Sequence, residues 1–90
     1  MEFSTRDLAG IMEYSHANVL AKVKRIAEKN DKFRQNIRMG IYLDGNFRNQ
    51  PYYLLTATGV MMFAKTVRNK QKRQKIRGLV GTEYYEREEV

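Results

Sequence analysis

Three observations predict an α+β chain, mainly helical, with a β-hairpin set between helices. Two helix starts stand close together, at Ser4 and Ser15. From Gln35 the apolar period shortens from that of a helix to strict alternation. A further helix start, at Thr56, closes the alternating region.

Each start carries the same signature. A hydroxyl residue that can accept from an unpaired first-turn amide follows a large apolar residue, and another apolar residue returns four positions later. The instances are Phe3-Ser4 with Leu8, Tyr14-Ser15 with Val19, and Leu55-Thr56 with Val60. The apolar pair is expected to staple the entering chain. Between Ser4 and Ser15 there is room for little more than two helical turns and a tight bend, which is helix-turn-helix spacing.

The first helix is predicted over Thr5 to Met12, with Leu8, Ile11 and Met12 on one face and Asp7 favoured by the dipole of the first turn. Glu13-Tyr14 makes the bend. The second helix is predicted over His16 to Lys29, with Val19, Leu20, Val23, Ile26 and Ala27 inward. Asn30-Asp31-Lys32 interrupts the pattern. Ile37, Met39, Ile41 and Leu43 then alternate with Arg38, Gly40 and Tyr42, which reads as a strand. Asp44-Gly45-Asn46 marks a turn, within a loop expected to run from Asp44 to Gln50. A second strand is expected over Tyr52 to Leu55, with Pro51 at its start, where no ladder donor is required. A helix with Val60, Phe63, Ala64 and Val67 inward follows, Asn69 marks a break, and a last helix is expected from Lys70 to Glu88 despite Gly78 and Gly81.

Short helix, turn, recognition helix, hairpin wing and one or two C-terminal helices is the order of a winged helix-turn-helix. Residues 1–68 are expected to form that domain, and 69–90 a basic helical extension that could dimerise. The string Ser4-Thr5-Arg6-Asp7-Leu8-Ala9, then His16-Ala17-Asn18-Val19-Leu20 and Ile26, resembles the opening of the phage regulatory protein Rha family. So do Tyr42-Leu43-Asp44-Gly45, Pro51-Tyr52-Tyr53-Leu54-Leu55-Thr56 and Gly59. The resemblance runs from Phe3 to about Ala64 and weakens beyond Asn69, where this chain has Lys70-Gln71-Lys72-Arg73. It implies a phage or prophage origin, a DNA-binding regulatory role and no enzymatic activity.

Seventeen Lys and Arg against ten Asp and Glu give a formal net charge of +7 and favour a polyanionic partner. Opposite the inward stripe of the second helix lie Asn18, Arg25 and Lys29, flanked by Ala21 and Lys22. These types suit a major groove: Asn pairs with adenine, Arg with guanine, and a small Ala permits close approach. A recognition helix reads mainly with its N-terminal half, so Asn18 and Lys22, with Ala17 and Ala21, are expected at base edges, Arg25 next, and Lys29 at phosphate. The plainer alternative is an ordinary solvated helix face. Arg48 in the hairpin loop is a candidate for phosphate or the minor groove. Lys65, Arg68, Lys70, Lys72, Arg73, Lys75 and Arg77 form a run of cations without an acid, of which Lys70, Lys72 and Arg73 are the leading candidates for backbone contact. His16, the single histidine, is expected to pack partly, hydrogen-bond the turn or touch a phosphate rather than read a base.

Ile76, Leu79, Val80 and Tyr84 form a stripe that could join two subunits. Double-stranded DNA and a second copy of the chain are therefore the expected partners, with no cofactor and no metal. The chain has no cysteine, one histidine and no glycine-rich phosphate loop, and Ser4 and Ser15 are explained as caps, so no enzymatic constellation is expected. The opening Met-Glu-Phe-Ser lacks a signal-peptide pattern, and Val60 to Ala64 is too short to span a bilayer, so no membrane is expected and the cytoplasm of a bacterial host is the expected place. Two other readings stay open: an antirepressor-like module that meets a protein partner, and a single-strand or RNA binder using Tyr52, Tyr53 and the cationic run.

Overall fold

The computed structural model describes residues 2–81. Its elements are β1 (Glu2–Ser4), α1 (Thr5–Met12), α2 (His16–Lys29), α3 (Asp31–Arg34), β2 (Ile37–Leu43), β3 (Asn49–Thr56), α4 (Ala57–Lys65) and α5 (Lys70–Val80). The fold is α+β and mainly helical, with a small antiparallel sheet in the order β1-β3-β2.

Local chemistry sets where the helices begin. Ser4 Oγ accepts from Arg6 N at 3.0 Å, Ser15 Oγ from Asn18 N at 3.2 Å and Thr56 Oγ1 from Gly59 N at 3.1 Å. Asn30 and Asn69 do the same for α3 and α5, accepting from Phe33 N and Lys72 N. Each bond satisfies an amide that the helix itself cannot pair. Two of the three expected staples close: Phe3 and Leu8, and Leu55 and Val60, are buried in the core. The third does not. Tyr14 turns outward, 45 % exposed, while Val19 is buried. Glu13 makes the α1–α2 bend in the left-handed region, at φ 58°, and its amide reaches back to Gly10 O at 3.3 Å.

Three elements depart from expectation. Glu2–Ser4 is a strand, paired with β3 in the register Phe3↔Leu55. The break at 30–32 holds a helical turn, α3, which buries Phe33 completely; Arg34 donates to Ala27 O at 3.1 and 2.9 Å and so closes the end of α2. The second strand begins at Asn49, so Pro51 lies inside it, opposite Ile41. Backbone direction explains why Pro51 fits. Tyr53 N donates to Thr5 Oγ1, away from β2, and the amide positions alternate along a strand, so position 51 also faces away from β2. There β1 no longer reaches, since its last pair is Ser4↔Leu54, and no donor is needed. The hairpin loop shortens to residues 44–48. Asp44 closes it, accepting at its carboxylate from Asn46 N, Arg48 N and Gln50 Nε2 at 2.8–3.0 Å. Those backbone amides of Arg48 and Asn46 hold the Asp44 carboxyl below its ordinary value.

One core takes side chains from every helix. Leu8 and Met12 of α1, Val19 and Val23 of α2, Phe33 of α3, Val60 and Phe63 of α4 and Ile76 of α5 surround Leu55 of β3. Helix α5, expected as an extension from residue 69, shares this core through Ile76, with Leu79 and Val80 packed against it. The stripe Ile76, Leu79, Val80 thus faces its own subunit, and Tyr84 lies outside the described residues. Helix α5 ends at Val80, where Gly81 takes φ 83°; the expected run to Glu88 falls outside the described residues.

At Gly59, α4 comes close against the residue before β2. A methyl group there would sit 2.9 Å from Asn36 O, a carbonyl already fixed by accepting from Thr56 N. Gly59→Ala is expected to destabilise by about 1–3 kcal/mol although alanine favours helix. Chemical denaturation checks this, and an unchanged or raised midpoint would show that the backbone yields.

Candidate nucleic-acid interface

Helix α2 turns Val19 and Val23 inward and leaves Asn18, Ala21, Arg25 and Lys29 exposed on the other side. Tyr14, Asn18, Ala21, Lys22 and Arg25 line an open groove of about 250 Å³ along this ridge. The expected outward residues are thereby brought onto one surface, with one exception.

Lys22 does not stand free. Its ammonium donates to Thr66 O at 3.2 Å, at the end of α4, and lies 5.8 Å from the centre of the Phe63 ring. A cation beside the last carbonyls of a helix is favoured by the helix dipole. Burial first, then the charges of Arg25 and Arg68, lower its pKa. Lys22 therefore ties α2 to the α4–α5 junction and contributes charge at the rim of the groove.

Helix α5 reaches the groove only through Tyr14. The Lys72 ammonium lies 4.2 Å from the centre of the Tyr14 ring, a cation–π contact that joins α5 to the α1–α2 turn. Arg68, on the junction itself, is close enough to act on Lys22. Lys22 and Arg25 thus line the groove, and Lys72 sits on the Tyr14 ring at its edge. Arg73 is turned the other way: its guanidinium donates to Val67 O at 3.0 Å and braces the junction. Lys70 is exposed at the start of α5, and Arg48 is exposed at the hairpin tip. Tyr14 and Arg68 escaped the sequence reading. Tyr14 sits just before a cap, where an inward staple is the common outcome, and Arg68 stood in a run of cations with nothing to single it out.

A second cluster orients the hairpin against the start of α2. The Arg6 guanidinium stacks 4.0 Å from the centre of the Tyr42 ring, which is 6.1 Å from His16 and 6.0 Å from Tyr52. Tyr52 covers Gly40 and Tyr53 packs on the core, and both rings are half-buried. His16 Nε2 lies 2.8 Å from Thr5 Oγ1, and Thr5, fully buried, also accepts there from Tyr53 N at 3.1 Å. With its oxygen so engaged, the Thr5 hydroxyl is placed to donate to a neutral imidazole. Burial, then the charge of Arg6, push the His16 pKa below its ordinary 6.5.

The consequence has a definite sign. The folded state holds His16 neutral at pH values where the unfolded chain protonates, so the unfolded state binds more protons there. Stability is complete above the ordinary histidine value and declines as pH falls through it toward the lower folded value. Melting temperatures between pH 7.5 and 5.5 are expected to fall for the native chain and to fall less for His16→Gln. Identical slopes would remove His16 as the source. The lowered carboxyls of Glu2 and Asp44 act only below their ordinary 4.5 and 3.8, outside that interval.

Among the described residues no group of histidine, cysteine, aspartate or glutamate could hold a metal ion, and no helix is long and apolar enough to cross a membrane. These observations define a mainly helical α+β protein with a small antiparallel sheet and a cation-rimmed helix face. The chain belongs to the phage regulatory protein Rha family, whose model matches residues 3–79. That span extends past Ala64 to include nearly all of α5. No curated protein and no solved structure matches.

Proposed function

We propose that this phage regulatory protein is a sequence-specific, duplex-DNA-binding transcriptional regulator built as a winged helix-turn-helix. In this reading α1, the Glu13–Ser15 bend and α2 form the helix-turn-helix, α2 enters the major groove and the β2–β3 hairpin is the wing. The observation that carries the reading is the exposed Asn18, Ala21, Arg25 ridge with the charges of Lys22, Arg68 and Lys72 around it. Asn18 and Arg25 would read base edges, with Ala21 allowing close approach, while Lys29, Lys70, Lys72 and Arg48 would meet phosphates. Lys22 would act chiefly by fixing α2 to the end of α4, and Arg73 by bracing the α4–α5 junction. The protein would work without catalysis, in the cytoplasm of a bacterial host.

Binding to random duplex, single-stranded DNA and RNA over a salt series tests this, followed by selection from a random duplex pool. Expected are a duplex preference, a steep negative salt slope and a recovered consensus. Lys70→Ala is expected to weaken all sequences alike and to reduce the salt slope by about one. Preference for single strands, or no nucleic-acid binding at all, would overturn the reading and favour an RNA binder or an antirepressor-like protein module respectively.

A further inference from the structure

We infer that the outer edge of β2 is a self-association surface, on which a second copy of this chain pairs its own β2 antiparallel about a two-fold axis. β2 is an outer strand of the sheet, and among the described residues nothing pairs with its far side. Thr56 N donates to Asn36 O, so the even-numbered amides of β3 point toward β2. Given the register Arg38↔Leu54, Gly40↔Tyr52 and Tyr42↔Gln50, the even residues of β2 bond to β3. The N–H and C=O groups of Ile37, Met39, Ile41 and Leu43 therefore point outward from the sheet.

The usual protections of an edge are missing. β2 contains no proline, no lysine and no bulge, and pairs one-to-one with β3 from Ile37↔Leu55 to Leu43↔Asn49. Its side chains add an apolar strip. Met39, Ile41 and Leu43 are 62–65 % exposed on one face, and with Pro51 of β3, Met39 and Ile41 line a shallow groove of about 160 Å³.

Charge selects the occupant. Residues 39–43 and 49–53 include no acid and no lysine or arginine. The neighbouring Arg38 is neutralised by both carboxylate oxygens of Glu2, at 2.6 and 2.7 Å. A chain of net charge +7 repels its own copies over most of its surface, but not along this strip. An acidic partner would be drawn to the cationic groove on α2 instead. The strip is also self-complementary: with the axis through Gly40, Met39 of one copy lies opposite Ile41 of the other, and Ile37 opposite Leu43. Each of those pairs joins two outward-pointing residues and can exchange two backbone hydrogen bonds.

The experiment needs no DNA, so its outcome is independent of the proposed function. Sedimentation of the native chain from micromolar to several hundred micromolar is expected to show a monomer–dimer equilibrium. Raising salt from 0.15 to 0.5 M is expected to strengthen dimerisation, because screening removes like-charge repulsion, whereas it weakens DNA binding. Amide exchange at Met39 and Ile41 is expected to slow with protein concentration, while exchange at Gly40 and Tyr42, already bonded to β3, stays unchanged. Ile41→Lys and Met39→Lys, both at exposed positions, are expected to weaken dimerisation at least tenfold with the monomer still folded by circular dichroism. A chain monomeric at every concentration overturns the inference. So does a dimer whose Met39 and Ile41 amides exchange as fast as in the monomer, or one that both lysine variants leave intact.

Discussion

Arg25→Ala is expected to weaken binding to a selected duplex by about 1–3 kcal/mol, roughly five- to more than a hundred-fold, and to leave the melting temperature nearly unchanged. Arg25 is exposed in the C-terminal half of α2, so its loss opens no cavity, and alanine is the better helix former. The loss should be greatest on the selected sequence and smaller on random duplex. Lys32→Ala, on the exposed side of α3, supplies the comparison and is expected to change affinity little. Lys22→Ala is a different case, because the side chain also holds Thr66 O. It is expected to reduce affinity and melting temperature together. Equal affinity losses at Arg25, Lys22 and Lys32 would remove α2 as the reading element.

Ile76→Ala is expected to cost about 2–5 kcal/mol of folding stability, a large share of what a domain of this size possesses. Ile76 is fully buried against residues of the other helices, and truncation leaves a cavity that the remaining chain fills only in part. For a domain of this length the melting temperature should fall on the order of 10 °C or more. The free-energy loss should be the same at low and high protein concentration, since Ile76 packs within its own subunit. A loss confined to concentrations at which the chain associates would instead make α5 a seam between subunits. Helix α5 and the groove are linked through Lys72 and Tyr14, so partial melting of α5 is also expected to lower duplex affinity.

The starts of α1, α2 and α4 were legible because each depends on groups within four residues of one another. A serine or threonine oxygen meets the amide two or three residues further on, and the bounds of α1 and α2 follow. The hairpin was legible from its alternation. Strand β1 was not, because three residues without a turn signal become a strand only when β3 lies beside them. Helix α3 was missed because Asn30-Asp31-Lys32 reads as a breaker, while the burial of Phe33 beneath α2 repays a single turn. The inner part of the core was foreseen through Val19, Val23, Val60 and Phe63. The membership of α5 in it was not, since an amphipathic stripe looks the same whether it covers its own domain or another chain.

Local order along the chain thus determined the caps, the short spacing between α1 and α2, the alternation of β2 and the excess of positive charge. Which cations face outward was decided only by the folded arrangement. Lys22 and Arg25 stand three residues apart on one helix, yet Lys22 bends to a carbonyl 44 residues away while Arg25 stays in solvent. A long flexible side chain goes to whatever acceptor the tertiary structure brings within reach, and no pattern of neighbours in the sequence carries that distance.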